Sequence, residues 1–179
     1  MRLLSCAALL AAFTAATTAD DFKPEAGYTL LFNGKDLTGW KTKAKPAEAL
    51  DGKAEAFGGR FKAAGGELVI DPKVKGDVRI ETAKEFGKDC TIKFEFKPDA
   101  KCNNDLFLHG TKFDIKKGVK GLKDDDWNEV EIVAAGGQVA YKINGEAAGA
   151  LKANGETSTF EIRAEFGAIQ IRKLRAKEG

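Results

Sequence analysis

The chain has 179 residues, of which 43% are hydrophobic and 31% charged, and its formal net charge is +2. One domain is expected at this length, and the apolar fraction is too high for a disordered chain. Nucleic-acid-binding modules usually gather a basic excess on one face, so the balanced charge argues against a nucleic-acid partner. The single histidine excludes a metal site built from several histidines, and no spacing of ligands predicts a metal or another cofactor.

Residues 1–19 have the pattern of an export signal. One arginine precedes an uncharged apolar run, and small residues follow at the positions that a signal peptidase reads before Asp20. The run is shorter than the roughly 20 apolar residues that a membrane span needs, and no later segment is apolar enough. We therefore expect a mature chain of residues 20–179 that is periplasmic or secreted and has no membrane span.

Strand-like alternation dominates the rest of the chain. In residues 90–97 every second side chain is apolar and the others are polar, and similar patterns recur at 130–134, 139–143, 160–164 and 168–174. Asn-Gly pairs at 33–34, 144–145 and 154–155 favour tight hairpins. About a dozen short strands and no convincing helix predict an all-β chain, a single antiparallel β-sandwich or jelly roll.

Two cysteines lie in this region, and export would place them where disulfides form. If the strand from Cys90 pairs as a hairpin with the strand that opens at Cys102, Cys102 lies beside Lys97. Cys90 would then lie about 23 Å away at the usual rise per residue. A disulfide needs Cα atoms within about 7 Å, so we expect two buried thiols rather than a bridge.

The densest polar cluster spans residues 103–114. Alternation predicts that Asp105, Phe107 and His109 share one strand face, and that Glu95 on the preceding strand lines the same surface if the register allows it. Because amide, carboxylate and imidazole groups converge there, the cluster is a candidate for ligand binding or catalysis. The alternative is an ordinary polar face in which the histidine is structural.

Other constellations point to no standard chemistry. Glu129 and Glu131 alternate with apolar residues and fit a solvated strand face, and neither a paired-carboxylate glycosidase motif nor a serine nucleophile elbow occurs. The acidic run 124–126 fits a solvated loop better than a calcium site. Trp40 and Trp127 are either core residues or sugar-stacking platforms.

Residues 28–40, YTLLFNGKDLTGW, resemble the opening signature of the 3-keto-disaccharide hydrolase domain family. Further pieces of the family's pattern follow in the same order at 94–97, 103–110, 126–133, 143–146 and 167–175. The resemblance implies a concanavalin-like jelly roll and cleavage of a 3-keto glycosidic bond. In that reaction a base removes the proton at C2, the enolate expels the C1 substituent, and water adds back.

The resemblance implies roles for residues of this chain. Asp114 or Glu95 would be the base, and His109 the hydrogen-bond donor or acid. The sugar-binding candidates are Arg79, Glu81, Asn103, Asn104, Asp105 and Lys112.

On this resemblance, the chain is identified as a shortened member of the family, with changes at the central strand. Asp105 stands where the family has Gly, His109 stands where it has Arg, and a long loop after the next strand is missing. These changes leave two alternatives to a hydrolase: a carbohydrate-binding module on the same fold, or a structural domain of the cell envelope. A sugar fits the balanced charge better than a polyanion does.

Overall fold

The structure is a computed structural model and describes residues 22–179. The predicted export signal at residues 1–19 lies outside the described residues. No helix occurs between residue 22 and the C-terminus, so none there is long and apolar enough to cross a membrane.

Fourteen β-strands make up the described chain. In chain order they are β1 (Thr29–Leu30), β2 (Trp40–Thr42), β3 (Glu55–Ala56), β4 (Phe61–Ala64), β5 (Glu67–Ile70), β6 (Val78–Thr82), β7 (Cys90–Pro98), β8 (Asn103–Leu108), β9 (Thr111–Lys116), β10 (Asn128–Ala135), β11 (Gln138–Ile143), β12 (Glu146–Lys152), β13 (Glu161–Phe166) and β14 (Ile169–Glu178).

The strands form two antiparallel sheets packed face to face. The nine-stranded sheet has the order β12-β11-β10-β7-β14-β5-β4-β3, with β1 added to β14. The five-stranded sheet has the order β2-β6-β13-β8-β9. The jelly-roll β-sandwich predicted from the alternation is therefore confirmed.

Alternation builds the core between the sheets. In β7 the side chains of Cys90, Ile92, Phe94 and Phe96 are all buried, and Phe94 contacts Phe160 just before β13 across the sandwich, with ring centroids 6.2 Å apart. The polar residues between them face outward, as a sheet with one buried face requires.

The expected hairpin between β7 and β8 is wrong. These consecutive strands lie in different sheets: β7 pairs with β10 and β14, whereas β8 pairs with β9 and β13. Cys90 and Cys102 are both free and buried, as the sequence predicted. Cys90 Sγ lies 3.9 Å from His109 Nε2, just past the end of β8, whereas Cys102 lies just before the start of β8, so the length of that strand keeps the two thiols apart.

The two tryptophans have different environments. Trp40 is fully buried, and its indole N–H donates to the carbonyl oxygen of Leu31 at 2.7 Å, so it is a core residue. Trp127 is half-buried on the nine-stranded sheet, with the guanidinium carbon of Arg172 3.8 Å from its ring centroid. One face of the Trp127 ring is therefore already occupied by a cation.

Candidate functional site

The outward face of the five-stranded sheet carries most of the predicted site residues. We call it the charged face; it consists of Lys41, Lys43, Asp77, Arg79, Glu81, Asp105, Phe107, Lys112, Asp114, Lys116, Glu161, Arg163 and Glu165. Strand pairing aligns these side chains in rows, one of which reads Arg79, Arg163, Asp105, Asp114 and the next Glu81, Glu161, Phe107, Lys112.

One group of ion pairs centres on Glu161 and comprises Lys41, Lys43, Arg79, Glu81 and Glu161; we call it the Glu161 cluster. Lys43 Nζ lies 2.8 Å from Glu161 Oε1 and 2.7 Å from Glu81 Oε2. Thr159 also donates to Glu81 Oε2, at 2.8 Å. The other oxygen of Glu161, Oε2, is buried without a hydrogen bond, 3.6 Å from Arg79 Nη1.

A second group, the Arg163 cluster, comprises Asp77, Asp105, Lys112, Asp114, Lys116, Arg163 and Glu165. Arg163 Nη1 lies 2.7 Å from Asp105 Oδ2, and the side chain of Asp105 is only 2% exposed. Lys112 Nζ lies 3.4 Å from Asp105 and 2.6 Å from Asp114. A buried carboxylate is therefore held by two cations from the flanking strands, β13 and β9.

Phe107 lies between the two clusters. It is half-buried, and its cross-strand neighbours are Glu161 on one side and Lys112 on the other. The guanidinium carbon of Arg79 lies 4.3 Å from the centroid of the Phe107 ring, a cation–π arrangement. An apolar ring surrounded by fixed hydrogen-bonding groups is thus a central feature of this surface.

A cleft of about 440 Å³ opens beside the Glu161 cluster. Lys43 and Arg79 line it together with Asp77, Val78 and Phe57. The volume lies within the range of small-molecule sites. The two cations that line the cleft are those that bind the carboxylate of Glu161.

Every carboxylate of the charged face has a cationic partner. The ion pairs join six cations to six carboxylates, so the face as a whole is neutral. Hydrogen bonds from Lys112 and Lys116 lower the pKa of Asp114 to about 2. Burial alone would raise the pKa of Glu81, but the hydrogen bonds from Lys43 and Thr159 outweigh burial and lower it. Both groups are therefore weak bases at neutral pH.

The prediction that His109 shares a face with Asp105 and Phe107 is wrong. His109 follows the last residue of β8 and has a φ of 49°, which breaks the alternation at the turn into β9. The side chain is 1% exposed, and its Nε2 lies 3.9 Å from the Sγ atom of Cys90. Burial lowers the pKa of His109. A neutral, enclosed imidazole cannot contact a ligand on the charged face.

Glu95 also lies away from the charged face. It is on β7, in the other sheet, and points outward from the opposite side of the sandwich. There it pairs with Arg172 at 2.6 Å and with Lys173, which has a φ of 55° at an irregularity in β14. The shared surface expected for Glu95 assumed that β7 and β8 pair, and they do not.

The two asparagines are separated by the alternation of β8. Asn104 is fully buried; its amide donates to the carbonyl oxygen of Phe166 at 2.7 Å and its oxygen accepts from the N–H of Glu165 at 2.7 Å. Asn104 therefore holds β8 against the end of β13 and does not reach the surface. Asn103, at the start of the strand, is half-buried.

Lys43, Glu161 and Arg163 belong to this surface but are not among the site residues predicted from the sequence. Glu161 and Arg163 alternate with the buried Ile162, which marks them as outward-facing. Nothing in a single sequence, however, indicates that β13 lies between β6 and β8. Five of the predicted residues do lie together with them: Arg79, Glu81, Asp105, Lys112 and Asp114.

No group of three or more metal-ligating side chains occurs within residues 22–179. The acidic run 124–126 lies in the loop before β10 and forms no such group.

Solved structures similar to this chain share its fold at low sequence identity. A candidate glycosyl hydrolase from Parabacteroides distasonis superposes with a TM-score of 0.65 at 17% identity, covering 86% of this chain and 94% of its own. The carbohydrate-binding module of family 66 from Bacillus subtilis has a TM-score of 0.52 at 11% identity, with 79% and 94% covered. An alginate lyase from a Corynebacterium species has a TM-score of 0.52 at 12% identity, with 81% and 96% covered.

No curated protein sequence matches the chain at a significant level. A family model does match, over residues 27–121, which is more than half of the chain and includes the opening signature and strands β1 to β9. The chain belongs to the family of 3-keto-alpha-glucoside-1,2-lyase-like domains, as the sequence motifs predicted.

Proposed function

We propose that this chain is an exported carbohydrate-binding protein whose sugar lies on the charged face, over Phe107. The observation that carries the proposal is the half-buried Phe107 ring between two ion clusters whose charges together cancel. A pyranose has an apolar face of C–H groups and a rim of hydroxyls. The face of the Phe107 ring that Arg79 does not cover fits the apolar face of the sugar, and the fixed carboxylate and guanidinium groups fit its hydroxyls.

The charge balance supports a neutral ligand. Six cations and six carboxylates cancel across the face, so it has no net charge to attract an anionic or cationic ligand at long range, whereas a neutral sugar needs no such attraction. Because each side chain is already held by a partner, little side-chain entropy is lost on binding. The family match and the fold shared with a carbohydrate-binding module agree with this proposal.

Binding is favoured over cleavage because the face offers no strong base. Removal of the C2 proton from a 3-keto sugar needs a base with a pKa near the working pH. The pKa values of Asp114 and Glu81 are lowered instead, and His109 is buried in the core.

Cleavage of a 3-keto glycoside is the second candidate function, and Glu161 favours it. Its Oε2 is the one carboxylate oxygen on the charged face that is buried without a hydrogen bond. If Arg79 turns toward the cleft, that oxygen becomes available to take the C2 proton. The family's reaction would then proceed with Glu161 as the base instead of Asp114.

Calorimetric titration of the purified protein with trehalose, cellobiose and 3-keto-trehalose tests both candidates. Phe107→Ala should abolish saturable binding. Trp127→Ala, which removes a half-buried ring beside an arginine on the other sheet, is the control and should leave binding intact. Turnover of 3-keto-trehalose that is lost in Glu161→Gln would favour cleavage. Binding that is unaffected by Phe107→Ala would refute the assigned surface.

Export is a separate part of the proposal and rests on residues 1–19. Expression of the full chain in a bacterium should yield a periplasmic or secreted protein, and its intact mass should be that of a chain starting at Asp20. An uncleaved cytoplasmic product would overturn it.

A further inference from the structure

A cleft opens where the edge strand of the five-stranded sheet stops short of covering β6. β2 pairs only with residues 80–82 of β6, and the next residue, Lys43, donates its backbone N–H to the carbonyl oxygen of Arg79 at 3.0 Å. Residues 77–79 of β6 border the cleft of about 440 Å³ beside the Glu161 cluster. Phe57, from the turn between β3 and β4, lines the same cleft. The cleft thus lies between an edge of the five-stranded sheet and an edge of the nine-stranded sheet.

Phe57 has a backbone conformation that its side chain disfavours. Its φ is 53°, a value that glycine adopts freely and a bulky residue rarely adopts. Gly58 and Gly59 follow with φ values of 62° and 88°, so the turn is one that glycine suits. Residues held in such conformations are concentrated at ligand-binding and active sites. The phenyl ring is the feature that a glycine at this position would lack.

The Phe57 ring is only partly used in packing. It is half-buried, and its centroid lies 6.3 Å from that of the fully buried Phe61 ring. The ring also borders the cleft, together with the apolar side chains of Ala44 and Val78. An aromatic ring that packs on the core on one side and lines a cleft on the other is suited to stack against the C–H face of a sugar.

The cations of the cleft have hydrogen-bond donors that their ion pairs do not use. Within residues 22–179 the guanidinium group of Arg79 makes no hydrogen bond, and Glu161 Oε2 lies 3.6 Å from its Nη1. An arginine has five N–H donors and a lysine has three. Lys43 uses two of its three, for Glu81 and Glu161. Arg79 and Lys43 can therefore donate to the hydroxyls of a ligand in the cleft while their ion pairs remain.

The cleft lies too far from Phe107 for a single sugar ring to reach both. Phe107 is on β8 and Arg79 is on β6, with β13 between them, so their backbones are about 10 Å apart at the usual strand spacing. The Arg79 side chain connects the two places, because its guanidinium carbon lies 4.3 Å from the Phe107 ring centroid and it also lines the cleft. A ligand that contacts both Phe107 and Phe57 has at least two linked sugar units.

We propose that the cleft is a second sugar subsite in which Phe57 is the aromatic platform, so that the protein selects glycans of two or more units over a single sugar. The proposal rests on the proposed function, since the first unit lies over Phe107. The second unit stacks on Phe57, and its hydroxyls accept hydrogen bonds from Arg79 and Lys43. Phe57 is then the residue that determines the length of the ligand.

Calorimetric titration with methyl β-glucoside, cellobiose and cellotriose tests the second subsite. The wild type should bind the longer sugars roughly fivefold or more tightly than the single unit. Phe57→Leu, which keeps an apolar side chain without a ring, should remove that preference and leave the affinity for methyl β-glucoside unchanged. Phe57→Tyr should keep the preference. Phe22→Leu is the matched control, because it removes a half-buried ring beside Lys173 and Arg175 on the other sheet, and it should leave all three affinities unchanged.

The outcomes separate the second subsite from the proposed function. If Phe107→Ala abolishes binding, a wild type that binds the three sugars equally would overturn the second subsite alone. A Phe57→Leu variant that keeps the preference, and that circular dichroism shows to be folded, would do the same. Binding of methyl β-glucoside that survives Phe107→Ala would instead refute the first subsite. A wild type that binds none of the three sugars would overturn both.

Discussion

Replacing Arg163 with alanine should destabilise the fold far more than removing an ion pair of similar length at the surface. Arg163 is the main partner of Asp105, whose side chain is only 2% exposed, at 2.7 Å. The substitution leaves that carboxylate buried, with Lys112 at 3.4 Å as its nearest cation. Removing one partner of a buried ion pair usually lowers the free energy of unfolding by about 3–5 kcal/mol. For Arg163→Ala we expect about 3 kcal/mol, because Lys112 remains near the carboxylate.

The comparison is Lys84→Ala. Lys84 and Glu178 are 2.8 Å apart, but their side chains are 53% and 46% exposed. Exposed pairs contribute about 0–1 kcal/mol, so the distance alone does not set the energy. Urea denaturation followed by the fluorescence of the buried Trp40 measures both free energies of unfolding.

A double-mutant cycle separates the ion pair from other losses. If the cost of Arg163→Ala is mainly the unpaired carboxylate, then Arg163→Ala/Asp105→Ala should be less destabilising than the sum of the two single variants, by about 2 kcal/mol. Additive effects would refute the reasoning. An Arg163→Ala variant that is no less stable than Lys84→Ala would also refute it.

Three further predictions concern single sites. Because lysine hydrogen bonds hold the pKa of Asp114 at about 2, its ionised form stabilises the fold above about pH 4 and loses that effect as the pH falls toward 2. Asp114→Asn should therefore cost about 1 kcal/mol at neutral pH and flatten the acid dependence of unfolding measured by urea titration. Gly167→Ala should lower the free energy of unfolding by about 2–4 kcal/mol in the same assay, because the added Cβ would lie 2.6 Å from the Cys102 backbone. The control is Gly118→Ala, which also has a positive φ but has open space around the added Cβ, and it should cost less. Cys90 and Cys102, with pKa values raised to about 11 mainly by burial, should not react with a thiol reagent at pH 8 until the protein unfolds, and early reaction of either would contradict their placement.

Much of the fold could be predicted from the sequence because alternation reports which face of a strand is buried. The polar and apolar faces of β7 and β8 were assigned correctly as far as residue 108. Alternation does not report which strands are neighbours. The hairpin assumed for β7 and β8 therefore does not form, and the condition under which Glu95 would share the surface of Asp105 is not met. Alternation also fails where the backbone leaves the extended region, as at His109 with its φ of 49°.

The departures from the family's motif at residues 105 and 109 can be explained together. Where the family has Gly, this chain places the carboxylate of Asp105 in the centre of the charged face, and a buried carboxylate needs a cation. The family's arginine at the end of the strand is replaced by His109, which lies in the core and supplies none. The cations come instead from the flanking strands, as Arg163 on β13 and Lys112 on β9. The surface thus keeps carboxylate and guanidinium groups around Phe107, which suits the proposed binding of a sugar. The alternative, abstraction of a proton, would need Glu161 to be released from Arg79.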